Sequence, residues 1–107
     1  MSYFEYTDGD TIFEGYLACN GDLQSRRPCV LVGHAWSGSG VHFNVIAEEL
    51  SQLGFIGFAI DVYGKGVRGK VDGDNTRLMQ PLLENRELLL QRLQAAFKVA
   101  QLHPLVL

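Results

Sequence analysis

The chain has 107 residues, of which 47% are hydrophobic and 20% are charged, a composition that is ordinary for a globular protein and excludes the disordered and fibrous classes. Nine basic and twelve acidic residues give a net charge of −3, and no basic tract is present that would follow phosphates, so we expect no nucleic-acid partner. The uninterrupted apolar runs are far shorter than the roughly 20 residues of a membrane span, so we expect no membrane segment.

The N-terminus and the cysteines favour a cytoplasmic chain. Residues 2–5 (SYFE) lack the basic region and the apolar core of a secretory signal. Cys19 and Cys29 are more typical of buried small hydrophobic side chains than of a disulfide in such a chain. The three histidines are scattered and no Cys-x-x-Cys pair is present, so we expect no metal site.

The first predicted element is a β-hairpin over residues 1–19. Two runs rich in β-branched and aromatic residues, 3–7 and 11–19, are separated by Asp8-Gly9-Asp10. An Asp-Gly pair between two such runs indicates a tight turn. We therefore expect an antiparallel N-terminal hairpin.

Residues 28–63 have the pattern of a βαβ unit. The continuous apolar run 29–32 is typical of a strand that is covered on both faces, and we expect it to be central in the sheet. Apolar residues at helical spacing follow over 43–53, and Gly54 ends this helix. Residues 55–60 form a second buried strand, so the two strands of this right-handed unit should be parallel.

The last third of the chain predicts a loop and a helix. Residues 64–76 have the composition of a long exposed loop. Strong helix formers with a broad apolar stripe then predict one long helix over 76–102, with Pro81 in its first turn. The apolar residues 105–107 begin a further parallel strand. The chain is therefore a single α/β domain, or the N-terminal half of one.

Two loops lie at the sheet edge where ligands bind in open α/β folds, beyond the carboxyl ends of the parallel strands. They cover residues 34–40 and 63–69. The first loop is rich in small residues and leads into a helix, so its backbone N–H groups can bind an oxyanion or another anion. A tight turn with no ligand fits these residues equally well.

Two motifs within residues 64–77 lack the context that their chemistry needs. Residues 64–69 match the G-x-G-x-x-G fingerprint, but residues 70–74 continue as a loop where a nucleotide-binding sequence would open a helix. Residues 72–74 begin like a calcium loop, yet Thr76 and Arg77 stand where a ligand and the turn glycine belong. We expect no cofactor.

A Ser-His-Asp triad can be assembled on paper from residues at this edge: Ser37 or Ser39, His34 or His42, and Asp61. The G-x-S-x-G elbow that would hold the serine at attack geometry is absent. We interpret Asp61 instead as a cap or acceptor for loop backbone, and His34 as a packed residue at a strand end.

Three segments together resemble the N-terminal half of dienelactone hydrolase-like α/β-hydrolases: PCVLVGHAWSG, LSQLGFIGFAIDVYGKG and MQPLLENRELLLQRLQAAF. The most specific parts are residues 34–38 and 61–66. The resemblance implies an α/β-hydrolase fold in which an N-terminal hairpin precedes a parallel βαβ unit and a long helix. It also implies cleavage of an ester or lactone by a Cys or Ser nucleophile that lies, with its Asp and His, beyond residue 107.

The resemblance implies roles for four residues. The backbone N–H of Trp36 is at the position that completes the oxyanion hole, together with the amide that follows the nucleophile. Ala35 stands where the archetypal enzyme has a Glu that helps to set the ionisation of the thiol. Lys65 corresponds roughly to an arginine that binds a substrate carboxylate, and a lysine keeps the charge without the bidentate geometry. The substrate-binding residues that the resemblance implies are His34, Ala35 and Lys65.

Two functions stay open at this point. The first is an ester or lactone hydrolase with a small-molecule substrate, and the alternative is a non-catalytic truncated α/β module that binds an anion or a protein partner. Two roles of Lys65 are equally consistent with the sequence: a contact to a substrate anion and a solvated surface side chain. A strand edge without its neighbour and an exposed leucine stripe would make the 107-residue chain alone inactive, prone to self-association or dependent on a C-terminal half.

Overall fold

A computed structural model describes residues 2–21, 25–70 and 72–107. Residue 1 of the predicted hairpin and residue 71 of the predicted long loop lie outside these ranges. Four strands occur within them: Ser2–Asp8 (β1), Thr11–Ala18 (β2), Cys29–Val32 (β3) and Ile56–Ala59 (β4). The helices of the same ranges are Val41–Gln52 (α1), Thr76–Glu84 (α2) and Arg86–Gln101 (α3). The strands form one sheet in the order β1-β2-β4-β3.

The N-terminal hairpin is confirmed. β1 and β2 pair antiparallel from Ser2↔Leu17 to Asp8↔Thr11. Gly9 in the connecting turn has φ 59°, a left-handed conformation that glycine adopts without a steric penalty. The other edge of β2 pairs antiparallel with β4, so the hairpin is an integral part of the sheet.

The parallel βαβ unit is also confirmed, because β3 and β4 pair in parallel and α1 connects them. The strand expected to be central, β3, is last in the order of the four described strands, and β2 and β4 are the internal ones. All residues of β4 are buried, whereas those of β3 are half-buried. A continuous apolar run indicates covered faces, but it does not specify which strands pair along the two edges.

The segment after α3 enters the sheet on the outer side of β3. Arg27 N–H donates to the carbonyl of Leu105 at 2.9 Å, and Leu107 N–H donates to the carbonyl of Arg27 at 2.9 Å. These two bonds form a parallel bridge between Arg27 and Val106. Residues 105–107 therefore occupy the position at which the sequence predicted the start of another parallel strand.

The predicted single helix over 76–102 is two helices, which is a correction. Pro81 is not in a first turn that opens the whole element but in the body of α2, where it has no N–H to bond the preceding turn. Asn85 then leaves helical geometry with φ −128° and ψ 81°, and its side chain accepts a hydrogen bond from Leu88 N–H as the cap of α3. Neither these helices nor α1 have the length and hydropathy needed to cross a membrane.

The two faces of the sheet are covered by different helices. On one face, Ala96 and Ala100 of α3 join the main core. The buried members of this core on the strands are Tyr6, Phe13, Leu17, Ile56 and Phe58. On the other face, Ala47 of α1 packs with Ala18 and Ala59. The loops that follow β3 and β4 meet at the carboxyl ends of these strands.

Candidate active site

The loop after β3, residues 33–40 (the first loop), lies against the loop after β4, residues 60–70 (the second loop). Three hydrogen bonds run from the second loop to the first: Val62 N–H to His34 Nε2 at 3.1 Å, Tyr63 O–H to Trp36 O at 2.9 Å, and Gly69 N–H to Ser37 O at 2.8 Å. The structure therefore brings together the two loops that the sequence assigned to this edge.

The tautomer of His34 follows from its partners. Because a backbone N–H can only donate, Nε2 of His34 must accept from Val62, and the proton of the neutral ring is on Nδ1. Nδ1 lies 2.7 Å from the carbonyl oxygen of Ala35, to which it donates. Both ring nitrogens are thus bonded to backbone, so His34 has no nitrogen available to act as a base or to bind a substrate.

The peptide between Ala35 and Trp36 has a defined orientation. The Ala35 carbonyl accepts from His34 Nδ1 and also from Gly38 N–H, at 3.0 Å. In a trans peptide the C=O and N–H groups point in opposite directions, and the described bonds are all trans. Trp36 N–H therefore points away from these partners. Within residues 2–21, 25–70 and 72–107, no group accepts a hydrogen bond from it.

Gly38 allows the two loops to approach closely. Its φ of 96° lies in the left-handed region that favours glycine. A Cβ at this position would stand 3.2 Å from Tyr63 Cδ2 and 3.3 Å from the Val67 carbonyl oxygen. A larger residue would therefore strain the turn that supports Trp36.

Two cavities adjoin Trp36, a residue that is 38% exposed. The first, which we call the loop cavity, has a volume of about 600 Å³ and is lined by residues 35–43 with Arg68 and Gly69. The second, the apolar cavity, has a volume of about 180 Å³. Most of its lining is apolar: Ala35, Trp36, Val62, Met79, Leu82, Leu83 and Leu89, with His34 and Tyr63. Trp36 forms part of the wall of both.

Asp61 organises the second loop, as its interpretation as a backbone acceptor predicted. The residue is 1% exposed, and its carboxylate accepts hydrogen bonds from the backbone N–H groups of Glu14, Tyr63 and Gly64 at 3.0 to 3.1 Å. The hydroxyl of Tyr6 donates to the Asp61 carbonyl at 2.6 Å. The Asp61 carboxylate makes no described hydrogen bond to a histidine or a serine, so the Ser-His-Asp triad considered from the sequence is not formed.

Lys65 is not brought to the cavities. Its ammonium forms an ion pair with Glu5 and lies 3.9 Å from a carboxylate oxygen of Glu14. The hydrogen bond to Glu5 raises the pKa of Lys65, which keeps the side chain cationic and paired over the hairpin. Arg68 is the basic residue that lines the loop cavity.

Sequence reasoning missed Tyr63 and Arg68 as members of the site. Tyr63 follows the buried strand at the correct edge, which was a usable signal, but its hydroxyl partner lies 27 positions earlier in the chain. Burial raises the pKa of Tyr63, so the hydroxyl stays protonated and able to donate at neutral pH. The described residues contain no group of three or more His, Cys, Asp or Glu side chains that could hold a metal ion.

One known protein family matches most of the sequence. A family model described as the dienelactone hydrolase family matches residues 13–106. The chain belongs to the dienelactone hydrolase family. Membership implies the α/β-hydrolase fold and relates the chain to hydrolases. It agrees with the resemblance carried by residues 34–38 and 61–66.

Two solved structures are similar to this member of the family. One is a dienelactone hydrolase-like promiscuous phosphotriesterase from metagenomic libraries, with 27% identity and a TM-score of 0.90. The other, described as m3DLH, has 29% identity and a TM-score of 0.86. Each alignment covers 98% of this chain and 44% of the other, so the chain spans less than half the length of these relatives. None of the curated proteins matches the sequence.

Proposed function

We propose that the chain is the N-terminal part of a hydrolase that cleaves a carboxylic ester or lactone by acyl transfer. The observation that carries the proposal is the backbone N–H of Trp36, which has no hydrogen-bond acceptor among the described residues and lies beside two cavities. Its orientation is fixed because the Ala35 carbonyl of the same peptide accepts two hydrogen bonds. A fixed donor with no internal acceptor suits an oxyanion, because it needs no rearrangement when negative charge develops on the substrate oxygen.

The nucleophile in this proposal lies outside residues 1–107. Among the described residues neither Ser37 nor Ser39 makes a hydrogen bond to a histidine, and both nitrogens of His34 bond backbone. Burial raises the pKa of Cys29 to about 11, which leaves little nucleophilic thiolate at neutral pH. Attack by an external Cys or Ser would turn the substrate carbonyl into an alkoxide, and Trp36 N–H would share that oxygen with a second donor.

The cavities support a substrate with an apolar part and an acidic part. Ala35 and Trp36 contribute apolar residues to both cavities, and Arg68 is among the residues that line the loop cavity. We therefore assign the anion contact expected of Lys65 to Arg68. A guanidinium can bind a carboxylate in a bidentate manner, which an ammonium cannot do.

The oxyanion role is tested by two changes in the full-length protein. Insertion of one Gly after Ala35 displaces the Trp36 amide and should remove most turnover, because one lost oxyanion donor costs about 2.7 to 4 kcal/mol of transition-state stabilisation. Trp36→Phe keeps the amide and should retain most turnover. Equal losses from both changes would contradict the role of the amide. Phosphotriesters belong in the substrate panel, because one similar structure is described as a promiscuous phosphotriesterase.

The anion contact is tested by Arg68→Ala, with Lys65→Ala as the matched control. The first change should raise KM for carboxylate-bearing esters and leave KM for neutral aryl esters unchanged. The second should change neither, since Lys65 is paired with Glu5. An increase in KM confined to Lys65→Ala would restore the original assignment.

The competing proposal is a non-catalytic module that binds an anion or a protein partner. Mass spectrometry of the native protein separates the two, because a single-domain hydrolase of this fold needs roughly 230 residues. A native chain of 107 residues without esterase activity would favour the binding module.

A further inference from the structure

We propose that His34 and Tyr63 act as a pair of positioning residues that clamp the two peptide groups flanking Trp36. The inference rests on the proposed function, since it explains how the Trp36 amide keeps its orientation. His34 bonds the carbonyl before Trp36, and Tyr63 bonds the carbonyl after it. With both flanking carbonyls held, the rotations that would redirect Trp36 N–H are restricted on each side.

His34 restrains the peptide from the side of β3. Its Nδ1–H donates to the Ala35 carbonyl at 2.7 Å, while Nε2 accepts from Val62 N–H at 3.1 Å. The imidazole thus bridges the first loop and the second through two directional bonds. This arrangement moves His34 from the substrate contact implied by the resemblance to the support of the amide.

Tyr63 restrains the next peptide from the second loop. Its hydroxyl donates to the Trp36 carbonyl at 2.9 Å, and its backbone N–H donates to Asp61 Oδ1 at 3.0 Å. The rings of Tyr63 and His34 lie 4.9 Å apart between centroids. Because Asp61 is buried and also bonds Glu14 of the hairpin, the clamp is anchored in the sheet and does not depend on the first loop alone.

Packing alone does not account for the pair. A phenylalanine at position 63 would fill the same volume and keep the ring contact with His34, but it would leave the Trp36 carbonyl without this donor. The clamp therefore predicts that removal of one hydroxyl changes the dynamics of the first loop, whereas a purely structural role predicts no such change.

The test uses Tyr63→Phe in the full chain, with Tyr16→Phe as the matched control. Tyr16 also loses one hydroxyl bond, which runs to Glu48 at 2.6 Å on the α1 side of the sheet. Two readouts are available: the emission of Trp36, the single tryptophan within residues 1–107, and hydrogen exchange at Gly38 N–H, which bonds the Ala35 carbonyl. Tyr63→Phe should accelerate that exchange roughly fivefold, the factor expected for one lost net hydrogen bond.

A pair of His34 variants separates the donor from the acceptor. His34→Asn can keep a donor near the Nδ1 position and should preserve Gly38 protection. His34→Gln can keep an acceptor near the Nε2 position and should lose that protection. Equal exchange rates in these two variants would overturn the part of the clamp assigned to His34. Where the His34 variants do not fold, the conservative Tyr63→Phe comparison decides alone.

The clamp is overturned if Tyr63→Phe and Tyr16→Phe give the same Trp36 emission and the same Gly38 exchange. Turnover in the full-length enzyme is a separate measurement: Tyr63→Phe should lower kcat for ester hydrolysis with little change in KM, because an oxyanion donor acts in the transition state. A native protein that hydrolyses no ester, while the spectroscopic differences persist, would refute the proposed function and leave the clamp intact.

Discussion

The two faces of the sheet are closed by opposite means. Under α1, Gly57 and Ala47 let the helix backbone approach the backbone of β4, and the buried side chains there are alanines. Under α3, the space is filled by large side chains such as Phe13 and Phe58, both with no exposed surface. The first face should therefore be sensitive to added atoms, and the second to removed atoms.

The largest expected effect is on the α3 face. Phe58→Ala removes a ring that makes edge-to-face contacts with Phe4 and Tyr6 at centroid distances of 6.0 and 5.8 Å. The free energy of unfolding should fall by about 3 to 5 kcal/mol, as measured by urea denaturation. Phe97→Ala is the matched control: this residue is 54% exposed, so removal of its ring should cost less than about 0.5 kcal/mol. Equal losses would contradict the difference between the core and the rim of this face.

Gly57→Ala tests the α1 face. The added Cβ would overlap the carbonyl oxygen of Ala47 and stand 2.7 Å from its Cα, so α1 has to move away from β4. Overpacking of this kind costs about 1 to 3 kcal/mol, and urea denaturation measures it. Gly33→Ala is the control, because nothing lies within 4 Å of a Cβ there. A stability unchanged by Gly57→Ala would show that the helix adjusts without cost.

The rim of the α3 face should promote self-association. Leu93 and Phe97 line an apolar groove of about 400 Å³ with Leu31 and Ile60, and such surfaces associate. The double change Leu93→Ser and Phe97→Ser should shift the 107-residue chain towards monomer in sedimentation velocity, with little change in thermal stability. Leu53→Ser is the control, since that side chain is exposed at the end of α1. The prediction would be contradicted if the 107-residue chain without substitutions were already monomeric.

The smallest effect concerns the thiol at the start of β3, which packs against the core under α3. Burial raises the pKa of Cys29 from 9.0 to about 11, so the thiolate fraction at pH 8 falls on the order of 100-fold below that of an unshifted thiol. In a Cys19→Ala variant, iodoacetamide alkylation should stay slow at pH 8 and continue to rise up to about pH 11. A plateau near pH 9 would show that the thiol is accessible to water.

Local patterns predicted most elements of the fold. The Asp8-Gly9 turn, the helical spacing before Gly54 and the apolar run of β4 depend on residues close in sequence, and all three appear as expected. Two errors have a common cause. The place of β3 in the sheet depends on which strands pair along its edges. The helix break at Asn85 depends on the geometry that Pro81 permits within α2. Residue periodicity encodes neither.

The candidate site divides in the same way. The sequence located the two loops, and its resemblance to a hydrolase family pointed to Trp36. It placed the basic contact at Lys65, whereas Arg68 lines the loop cavity and Lys65 pairs with Glu5. Residues only three positions apart in an irregular loop can project to opposite sides, and no period relates their directions as it does in a helix or a strand.

The sequence by itself determined the hairpin, the parallel βαβ unit and the edge at which the loops gather, because these follow from side-chain periodicity and turn chemistry among near neighbours. Only the tertiary structure decided which groups the loops bond. His34 and Val62 are 28 positions apart, as Tyr63 and Trp36 are 27. The direction of Trp36 N–H depends on these distant partners, since a peptide plane in a loop is oriented by the hydrogen bonds that its carbonyls accept and not by the identity of its own side chain.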